Sequence, residues 1–191
     1  MPFDDCDAAT EWVSAHAADM GFDPGRLAVA GDSAGGNLAA TMCLKARDEH
    51  GPKIAFQCLT YPALDDNWDT PAAHESAEGY GLQRETMRWF WNHYVTSPSD
   101  GETPPVSPLR APDLRGLPPA FIATAEFDPL RDDGESYAER LREAGVEATL
   151  KRYDGMIHGC DWMLVAIDAS RAIHADVAAA FARVLGAPVA A

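Results

Sequence analysis

A serine between two glycines, in the run Gly31-Asp32-Ser33-Ala34-Gly35, has the setting that most directly indicates covalent chemistry. It follows a short apolar run at residues 27–30, typical of a strand covered on both faces, and precedes a helical pattern at residues 38–46. This is the setting of a nucleophile elbow, a strained turn that lifts the serine hydroxyl clear of the sheet. Glycines two positions away on either side let the flanking backbones pass without collision. A simple glycine-rich turn is the alternative; a phosphate-binding loop is disfavoured because no Gly-Lys-Ser/Thr follows.

A serine hydroxyl is a weak nucleophile at neutral pH, so this hypothesis requires a histidine base. Of the six histidines, His158 fits best, because it follows the last predicted strand between Gly155 and Gly159. That loop lies at the carboxyl edge of the predicted sheet, where ligands meet open α/β sheets. The others are expected to have packing or surface roles, on helices, at a helix end or in residues 65–119: His16, His174, His50, His74 and His93.

The carboxylate that orients such a histidine is predicted to be Asp128, which follows the strand at residues 120–125. The chain order Ser33, Asp128, His158 is the order of the α/β-hydrolase topology. Glu126 stays open as an alternative because it lies so close to the end of the same strand. The neighbouring Asp132 and Asp133 are interpreted as carboxylates that complement the dipole at a helix N-terminus.

Strands and helices alternate along most of the chain, which indicates βαβ units and a mostly parallel sheet. The predicted strands are residues 27–30, 54–61, 120–125 and 148–153, and the predicted helices are residues 8–20, 38–46, 134–143 and 162–185. A chain of 191 residues is expected to form a single α/β domain over residues 1–191.

Residues 65–119 interrupt this alternation with a polar opening, one predicted helix at residues 85–95 and a proline-rich return. We interpret the segment as an inserted cap. One face of the predicted helix carries apolar side chains, which favours packing on the core: Met87, Trp91, Tyr94 and Val95. The run Trp89-Phe90-Trp91 is an alternative lining for an acyl pocket, although packing is the expected role of Trp91.

Four segments together resemble the hormone-sensitive-lipase-like esterase family of α/β-hydrolases, in content and in order: residues 31–39, Ser107-Pro108-Leu109, residues 128–132 and residues 155–159. The resemblance implies an α/β-hydrolase fold and a carboxylester hydrolase that acts on short-chain acyl esters through an acyl-enzyme, without a cofactor. It also implies that Ser33 is the nucleophile, His158 the general base and Asp128 the orienting charge. The backbone N–H of Ala34 would be one oxyanion donor.

The chain departs from the family pattern upstream of the elbow. Family members carry a His-Gly-Gly-Gly run there, whose N–H groups complete the oxyanion hole, and this sequence has none. Residues 1–6 resemble a stretch shortly before the first helix, so an N-terminally truncated pattern is expected, with residues 27–30 at an exposed sheet edge. Losing one oxyanion donor costs about 10²–10³ in kcat, and a free apolar edge promotes pairing. The alternative function is therefore a catalytically weak or silent hydrolase remnant that self-associates.

Composition narrows the choice of partners. The 15 Lys and Arg against 30 Asp and Glu give a net charge of −15, which disfavours nucleic acid and membrane surfaces as partners. A small-molecule ester is the partner that the family resemblance implies. The four cysteines are widely spaced with no C-x-x-C, so we expect reduced, mostly buried thiols and no metal site. No run approaches membrane-spanning length, and a cytoplasmic location is expected.

Overall fold

The computed structural model describes residues 2–186, which form a four-stranded sheet with helices on both faces. The strands are β1 (Ala28–Asp32), β2 (Phe56–Thr60), β3 (Ala120–Phe127) and β4 (Ala148–Ile157). They are parallel throughout and lie in the order β1-β2-β3-β4. The α/β fold and the parallel sheet expected from the sequence are therefore confirmed.

Within residues 2–186, six α-helices accompany the sheet: α1 (Pro2–His16), α2 (Ala34–Asp48), α3 (Pro71–Glu75), α4 (Arg84–Tyr94), α5 (Arg131–Glu143) and α6 (Asp168–Leu185). Short 3₁₀ turns occur at Pro24–Arg26, Pro98–Glu102, Pro108–Arg110 and Cys160–Trp162. Helix α2 connects β1 to β2, and α5 connects β3 to β4. Connecting helices of this kind are what a parallel sheet requires.

Successive strand residues face opposite sides of the sheet and build two apolar cores. On one side, Leu59 and Ile122 pack with residues of α2 and α5, among them Leu44 and Leu141. On the other side, side chains of β2 and β3 pack against α6. This core includes Phe56, Cys58, Phe121 and Ala123 from the strands and Ile173 and Ala180 from the helix. Cys43, Cys58 and Cys160 are buried and Cys6 is partly buried; all four are free thiols. The sheet is thus covered on both faces, as its apolar strands predicted.

All four strands end at the same edge of the sheet, because they run in one direction. The register pairs Asp32 at the end of β1 with Thr60 at the end of β2. Near the end of β4 the register slips: Ala125 pairs with Tyr153, but Phe127 pairs with Ile157, so β4 advances four residues while β3 advances two. This bulge carries the end of β4 forward along the edge.

The prediction of a first helix at residues 8–20 is wrong at both ends. Helix α1 begins at Pro2, where a proline has no N–H to leave unpaired, and Asp4 and Asp5 in its first turn complement the helix dipole. It ends at His16, and residues 17–22 form a hydrogen-bonded turn in which Gly21 has a φ of +78°. Residues 2–7 therefore do not precede the helix; they belong to it.

The prediction of a closing helix at residues 162–185 is wrong at its start. The chain makes the 3₁₀ turn Cys160–Trp162 and then a further turn in which Ala166 N and Ile167 N donate to Met163 O. Helix α6 begins only at Asp168, a residue whose carboxylate favours the N-terminus of a helix. The apolar residues 162–165 resemble a helix in composition, and for this reason the sequence predicts an earlier start than the structure shows.

The segment between β2 and β3 contains α3 and α4. The apolar face of α4 packs as the sequence predicted, with Met87 and Trp91 buried against Ala63 and Leu130 and with Tyr94 and Val95 beside them. Trp89 and Phe90 lie on the exposed side of the same helix. This packing holds α4 above the edge where the strands end.

Strand β1 stands at one end of the sheet, and in the described residues it pairs with β2 alone. Its side chains are partly buried or exposed, whereas every residue of β2 is buried. The edge position expected for residues 27–30 is thus the one that β1 occupies. None of the helices in residues 2–186 combines the length and apolar character needed to cross a membrane.

Candidate active site

Ser33 lies at the turn between β1 and α2 in a backbone conformation that non-glycine residues rarely adopt, with a φ of 53°. Gly31 makes the turn possible: a Cβ there would lie 2.2 Å from the backbone carbon and oxygen of Gly35. A Cβ on Gly36 would lie 2.7 Å from the side chain of Pro62. Gly35 itself has open space, so the requirement for a small residue falls on positions 31 and 36 rather than on both glycines of the motif.

The strained serine is held from both sides by β2 and the loop that follows it. Ser33 N donates to Thr60 O at 2.9 Å, and Ala63 N donates to Ser33 O at 3.2 Å. The buried Asn37 amide donates to Ala63 O at 2.8 Å and to Val106 O at 2.7 Å. These bonds tie the elbow to the neighbouring strand and to the chain returning from α4, which keeps the Ser33 conformation fixed.

His158 follows directly on β4, and its imidazole is within hydrogen-bond distance of both other predicted site residues. Its Nε2 lies 2.9 Å from Ser33 Oγ, and its Nδ1 lies 2.7 Å from Asp128 Oδ2. The β4 bulge, in which Gly155 has a φ of +73°, brings the ring to this place. A carboxylate can only accept, so we assign the ring proton to Nδ1, which leaves Nε2 free to accept from the serine hydroxyl.

Asp128 follows directly on β3, and its side chain is completely buried. Its Oδ2 accepts from His158, and its Oδ1 accepts from Leu130 N at 2.9 Å. Both carboxylate oxygens thus have donors, as a buried charge requires. The arrangement fixes the orientation of the imidazole and favours the imidazolium that forms when the ring takes a proton.

The other carboxylates of this region lie elsewhere. Glu126 accepts from the backbone N–H of Gly155 at 2.6 Å, so the structure does not bring it to His158. Asp132 and Asp133 do lie in the first turn of α5, as predicted, but their bonds reach beyond that helix. Asp132 accepts from Ala72 N at 2.8 Å, and Asp133 accepts from the backbone of residues 64 and 65 at 2.9 and 3.1 Å.

Burial raises the pKa of Asp133 well above its usual range, although the two N–H bonds oppose the shift. Because its carboxylate accepts from the backbone of residues 64 and 65, Asp133 holds the start of the loop after β2 in addition to lying at a helix N-terminus. The purely dipolar interpretation of Asp132 and Asp133 is incomplete for this reason. It came from sequence distance, which cannot show which backbone a carboxylate reaches.

The remaining histidines have other partners, in agreement with the roles expected for them. His16 and His93 bond backbone carbonyls one turn earlier in their own helices, at 2.8 and 2.7 Å. His74 pairs with Asp69, and His174 lies 3.1 Å from the carbonyl oxygen of Asp161. His50 follows α2 with a φ of 56°. Of the six histidines, His158 is the one within hydrogen-bond distance of Ser33.

A cavity of about 550 Å³ opens over Ser33 and His158. Its lining is mainly apolar, and α4 supplies much of one wall through Met87, Phe90 and Trp91. Of the three aromatic residues considered for an acyl pocket, Trp89 takes no part, whereas Trp91 both packs in the core and lines the cavity. A hydroxyl beside a base at the floor of an apolar cavity can attack a bound acyl group.

Ala34 also lines this cavity. Ala34 is the first residue of α2, and the first N–H groups of a helix have no partner within the helix. Such an N–H, at the positive end of the helix dipole, can stabilise an oxyanion that forms beside Ser33.

Sequence reasoning missed the residue that follows β2. Tyr61 has a φ of 35°, is buried, lines the cavity and packs against His158, with ring centroids 4.5 Å apart. Its position directly after a buried strand was the available signal, because each of the other three strands is also followed by a predicted site residue. Asn37, which lies within the serine motif, was likewise not singled out.

Comparison with known proteins identifies the family to which this fold belongs. Residues 1–161 match the family model described as alpha/beta hydrolase fold. The chain belongs to the α/β-hydrolases, and within them to the hormone-sensitive-lipase-like carboxylesterase family that its motifs resembled.

Two curated relatives and one solved structure show how similar the chain is to individual members of these families. The chain is similar to the carboxylesterase NlhH of Mycobacterium tuberculosis, with 46% identity over 159 residues that cover 82% of this chain and 50% of that protein. It is 37% identical over 158 residues to the ethyl acetate hydrolase of Pseudomonas putida, covering 81% and 49%. The crystal structure of the Ser161Ala mutant of LAE6, an α/β-hydrolase from the metagenome of Lake Arreo, superposes with a TM-score of 0.92 at 42% identity, covering 97% of this chain and 58% of the other. The chain spans about half the length of the curated relatives it matches.

Proposed function

We propose that this protein is a carboxylester hydrolase that acts on short-chain acyl esters through a covalent acyl-enzyme. Ser33 is the nucleophile, His158 the general base, Asp128 the residue that orients the base, and the Ala34 N–H an oxyanion donor. The observation that carries the proposal is the hydrogen-bonded series from Ser33 Oγ through the His158 ring to Asp128, at 2.9 and 2.7 Å, at the floor of an apolar cavity.

In this mechanism His158 Nε2 takes the hydroxyl proton as Ser33 Oγ bonds to the ester carbonyl carbon. The carbonyl oxygen becomes an oxyanion beside the Ala34 N–H. Collapse of the tetrahedral intermediate breaks the bond to the alkoxy oxygen, which leaves as the alcohol with the proton from His158. Water, deprotonated by the same ring, then attacks the acyl carbon. The bond between that carbon and Ser33 Oγ breaks, the ring returns its proton to Ser33 Oγ, and the carboxylic acid is released.

The substrate class follows from the shape and chemistry of the cavity together with the relatives. A volume of about 550 Å³ lies within the range of sites for small molecules. Its apolar wall suits an uncharged acyl or aryl group. The ethyl acetate hydrolase relative carries a short acyl ester in its name, which supports the same class for this chain.

We include the organisation of the chain in the proposal. Residues 65–119 act as a cap, because α4 both packs on the fold and lines the cavity. The rest of residues 1–191 forms one domain with it; residue 1 and residues 187–191 lie outside the described residues. A cytoplasmic location and the absence of nucleic-acid and membrane partners remain predictions from the sequence.

The test is hydrolysis of aryl esters whose acyl chains increase from acetyl to dodecanoyl, with Ser33→Ala and His158→Ala as variants. We expect a preference for short chains and a loss of turnover to the same low level in both variants, because members of such a triad act as a unit. A preference for long chains would contradict the substrate class. Equal rates in the wild type and Ser33→Ala would refute the mechanism, and equal rates that do not exceed the uncatalysed rate would favour a catalytically silent remnant.

A further inference from the structure

Tyr61 directly follows β2, next to the proposed triad of Ser33, His158 and Asp128, and its backbone conformation is strained. It is 1% exposed and has a φ of 35°, which is unfavourable for a bulky aromatic residue. Its backbone N–H donates to Ala123 O at 2.7 Å, continuing the ladder between β2 and β3. Strain of this kind persists only where the surroundings determine the position of the residue, and it concentrates at functional sites.

The side chain of Tyr61 contacts His158 with its ring and Asp161 with its hydroxyl. The tyrosine and imidazole rings are tilted by 55° with centroids 4.5 Å apart, so Tyr61 covers one side of the base. The Tyr61 hydroxyl donates to the Asp161 carboxylate. Asp161 lies three residues after His158, and this bond therefore connects the end of β2 with the turn that follows the base.

That turn is fixed to α6 at the same residue. The carbonyl oxygen of Asp161 accepts from Ser170 Oγ at 2.6 Å and lies 3.1 Å from His174 Nε2. Trp162 N donates back to Gly159 O at 3.2 Å, which closes the turn. Asp161 is thus held through its backbone by α6 and through its side chain by Tyr61.

The surroundings of the Asp161 carboxylate make the tyrosine donor important. Burial and the nearby Asp32 raise the pKa of Asp161, while His174 and backbone N–H groups lower it. The Asp32 carboxylate lies 3.3 Å from Trp162 Nε1, on the same turn. A partly buried carboxylate beside another carboxylate needs a hydrogen-bond donor, and the Tyr61 hydroxyl supplies one.

We propose that Tyr61 and Asp161 are positioning residues for the base: their hydrogen bond holds the turn 158–162 so that the imidazole of His158 faces Ser33. This inference rests on the proposed function, since it assigns His158 as the base. The ring of Tyr61 limits the movement of the imidazole on one side, and its hydroxyl fixes the chain that carries it. Without the hydroxyl, His158 retains its bond to Asp128 but spends less time within reach of Ser33 Oγ.

The first experiment measures how fast an organophosphonate labels Ser33 in a set of variants. Tyr61→Phe keeps the ring and removes the donor; we expect it to slow labelling about fivefold to tenfold, as for one buried hydrogen bond. Asp161→Ala should slow labelling to a similar extent, and the double variant should be no slower than either single one, because both remove the same interaction. Asp161→Asn keeps an acceptor for the hydroxyl and should restore most of the rate.

Tyr153→Phe is the matched control. Tyr153 is also a buried tyrosine, on strand β4, and its hydroxyl donates at 2.6 Å to Asp176, an aspartate of α6. Removing it costs a similar hydrogen bond at a distance from Ser33, so the loss of stability should be similar while labelling stays at the wild-type rate. If Tyr153→Phe and Tyr61→Phe slow labelling equally, the role of Tyr61 is structural only and the proposal is wrong.

The second experiment observes the imidazole directly and does not depend on turnover. In ¹⁵N NMR spectra at alkaline pH, we expect one sharp Nδ1-protonated tautomer of His158 in the wild type and in Tyr153→Phe. Tyr61→Phe should broaden these signals or shift them toward a mixture of tautomers. Unchanged His158 signals in Tyr61→Phe would overturn the inference. Failure of the wild type to label at Ser33 would overturn the proposed function instead, and the NMR comparison would still decide the role of Tyr61.

Discussion

Replacing Asp128 by Asn changes the chemistry of the proposed triad while leaving its shape intact. Asp128 Oδ1 accepts from Leu130 N at 2.9 Å and Oδ2 lies 2.7 Å from His158 Nδ1. In Asp128→Asn the amide oxygen must stay toward the Leu130 N–H, since an NH₂ group there would meet another donor. The amide nitrogen therefore faces His158 and donates to Nδ1. That bond moves the ring proton to Nε2, the atom that has to accept from Ser33.

The expected loss follows from this reversal of the tautomer. Where the wrong tautomer is imposed on a serine–histidine pair, kcat falls by about 10⁴, which corresponds to about 5.4 kcal/mol of lost transition-state stabilisation. Folding should be affected much less, because the amide fills the same buried volume and retains both hydrogen bonds. A large loss of rate together with a small loss of stability is the signature we expect.

The assay is the rate of Ser33 labelling by an organophosphonate, measured with urea unfolding of each variant. Glu126→Gln is the matched control, since Glu126 is the other acid at the end of β3 and binds Gly155 N rather than His158. It should label at close to the wild-type rate. Near wild-type labelling in Asp128→Asn, or a large loss in Glu126→Gln, would refute the assignment of Asp128.

Three further predictions concern folding, pH and association. Gly31→Ala should lower the free energy of unfolding by more than about 4 kcal/mol, since its Cβ would lie 2.2 Å from the Gly35 backbone. Gly35→Ala should remain folded, because a Cβ at that position has open space. Urea titration of both variants measures the difference. Burial raises the pKa of Asp133, so the folded chain keeps that proton to higher pH than the unfolded chain, and stability from this group falls as pH rises above 3.8. The stability of Asp133→Asn relative to the wild type should therefore rise over that range. Asp113→Asn should be less stable than the wild type there, because Arg115 lowers the pKa of Asp113 to about 2. Unfolding of both variants at several pH values measures the two differences in stability. The edge position of β1 predicts oligomers in size-exclusion chromatography with light scattering, and a monodisperse monomer would contradict that expectation.

Much of this site could be predicted because its residues follow strands. Ser33, Asp128 and His158 each come directly after a strand of a parallel sheet, and parallel strands bring their carboxyl ends to one edge. A strand is recognisable from an apolar run and the edge follows from topology, so three residues distant in sequence could be expected together. The same logic applies to Tyr61, which was missed only because tyrosine carried no motif.

The rest depended on contacts that sequence spacing does not encode. The β4 bulge that carries His158 forward depends on pairing with β3, and the reach of Asp133 to the backbone after β2 depends on how α5 packs. The start of α6 was placed too early because the apolar residues 162–165 look helical, yet they form a turn held by Asp161 and Met163. The start of α1, by contrast, does have local signals in the sequence: the proline at its first position and the acids of its first turn.

The most direct test of the central claim, that Ser33 forms the covalent intermediate, is peptide-level mass spectrometry of the chain after brief exposure to an activated acyl ester and rapid acid quenching. We predict a single acyl adduct on the peptide that contains Ser33, absent in Ser33→Ala and strongly reduced in His158→Ala. An adduct on another residue, or one that persists in Ser33→Ala, would contradict the account.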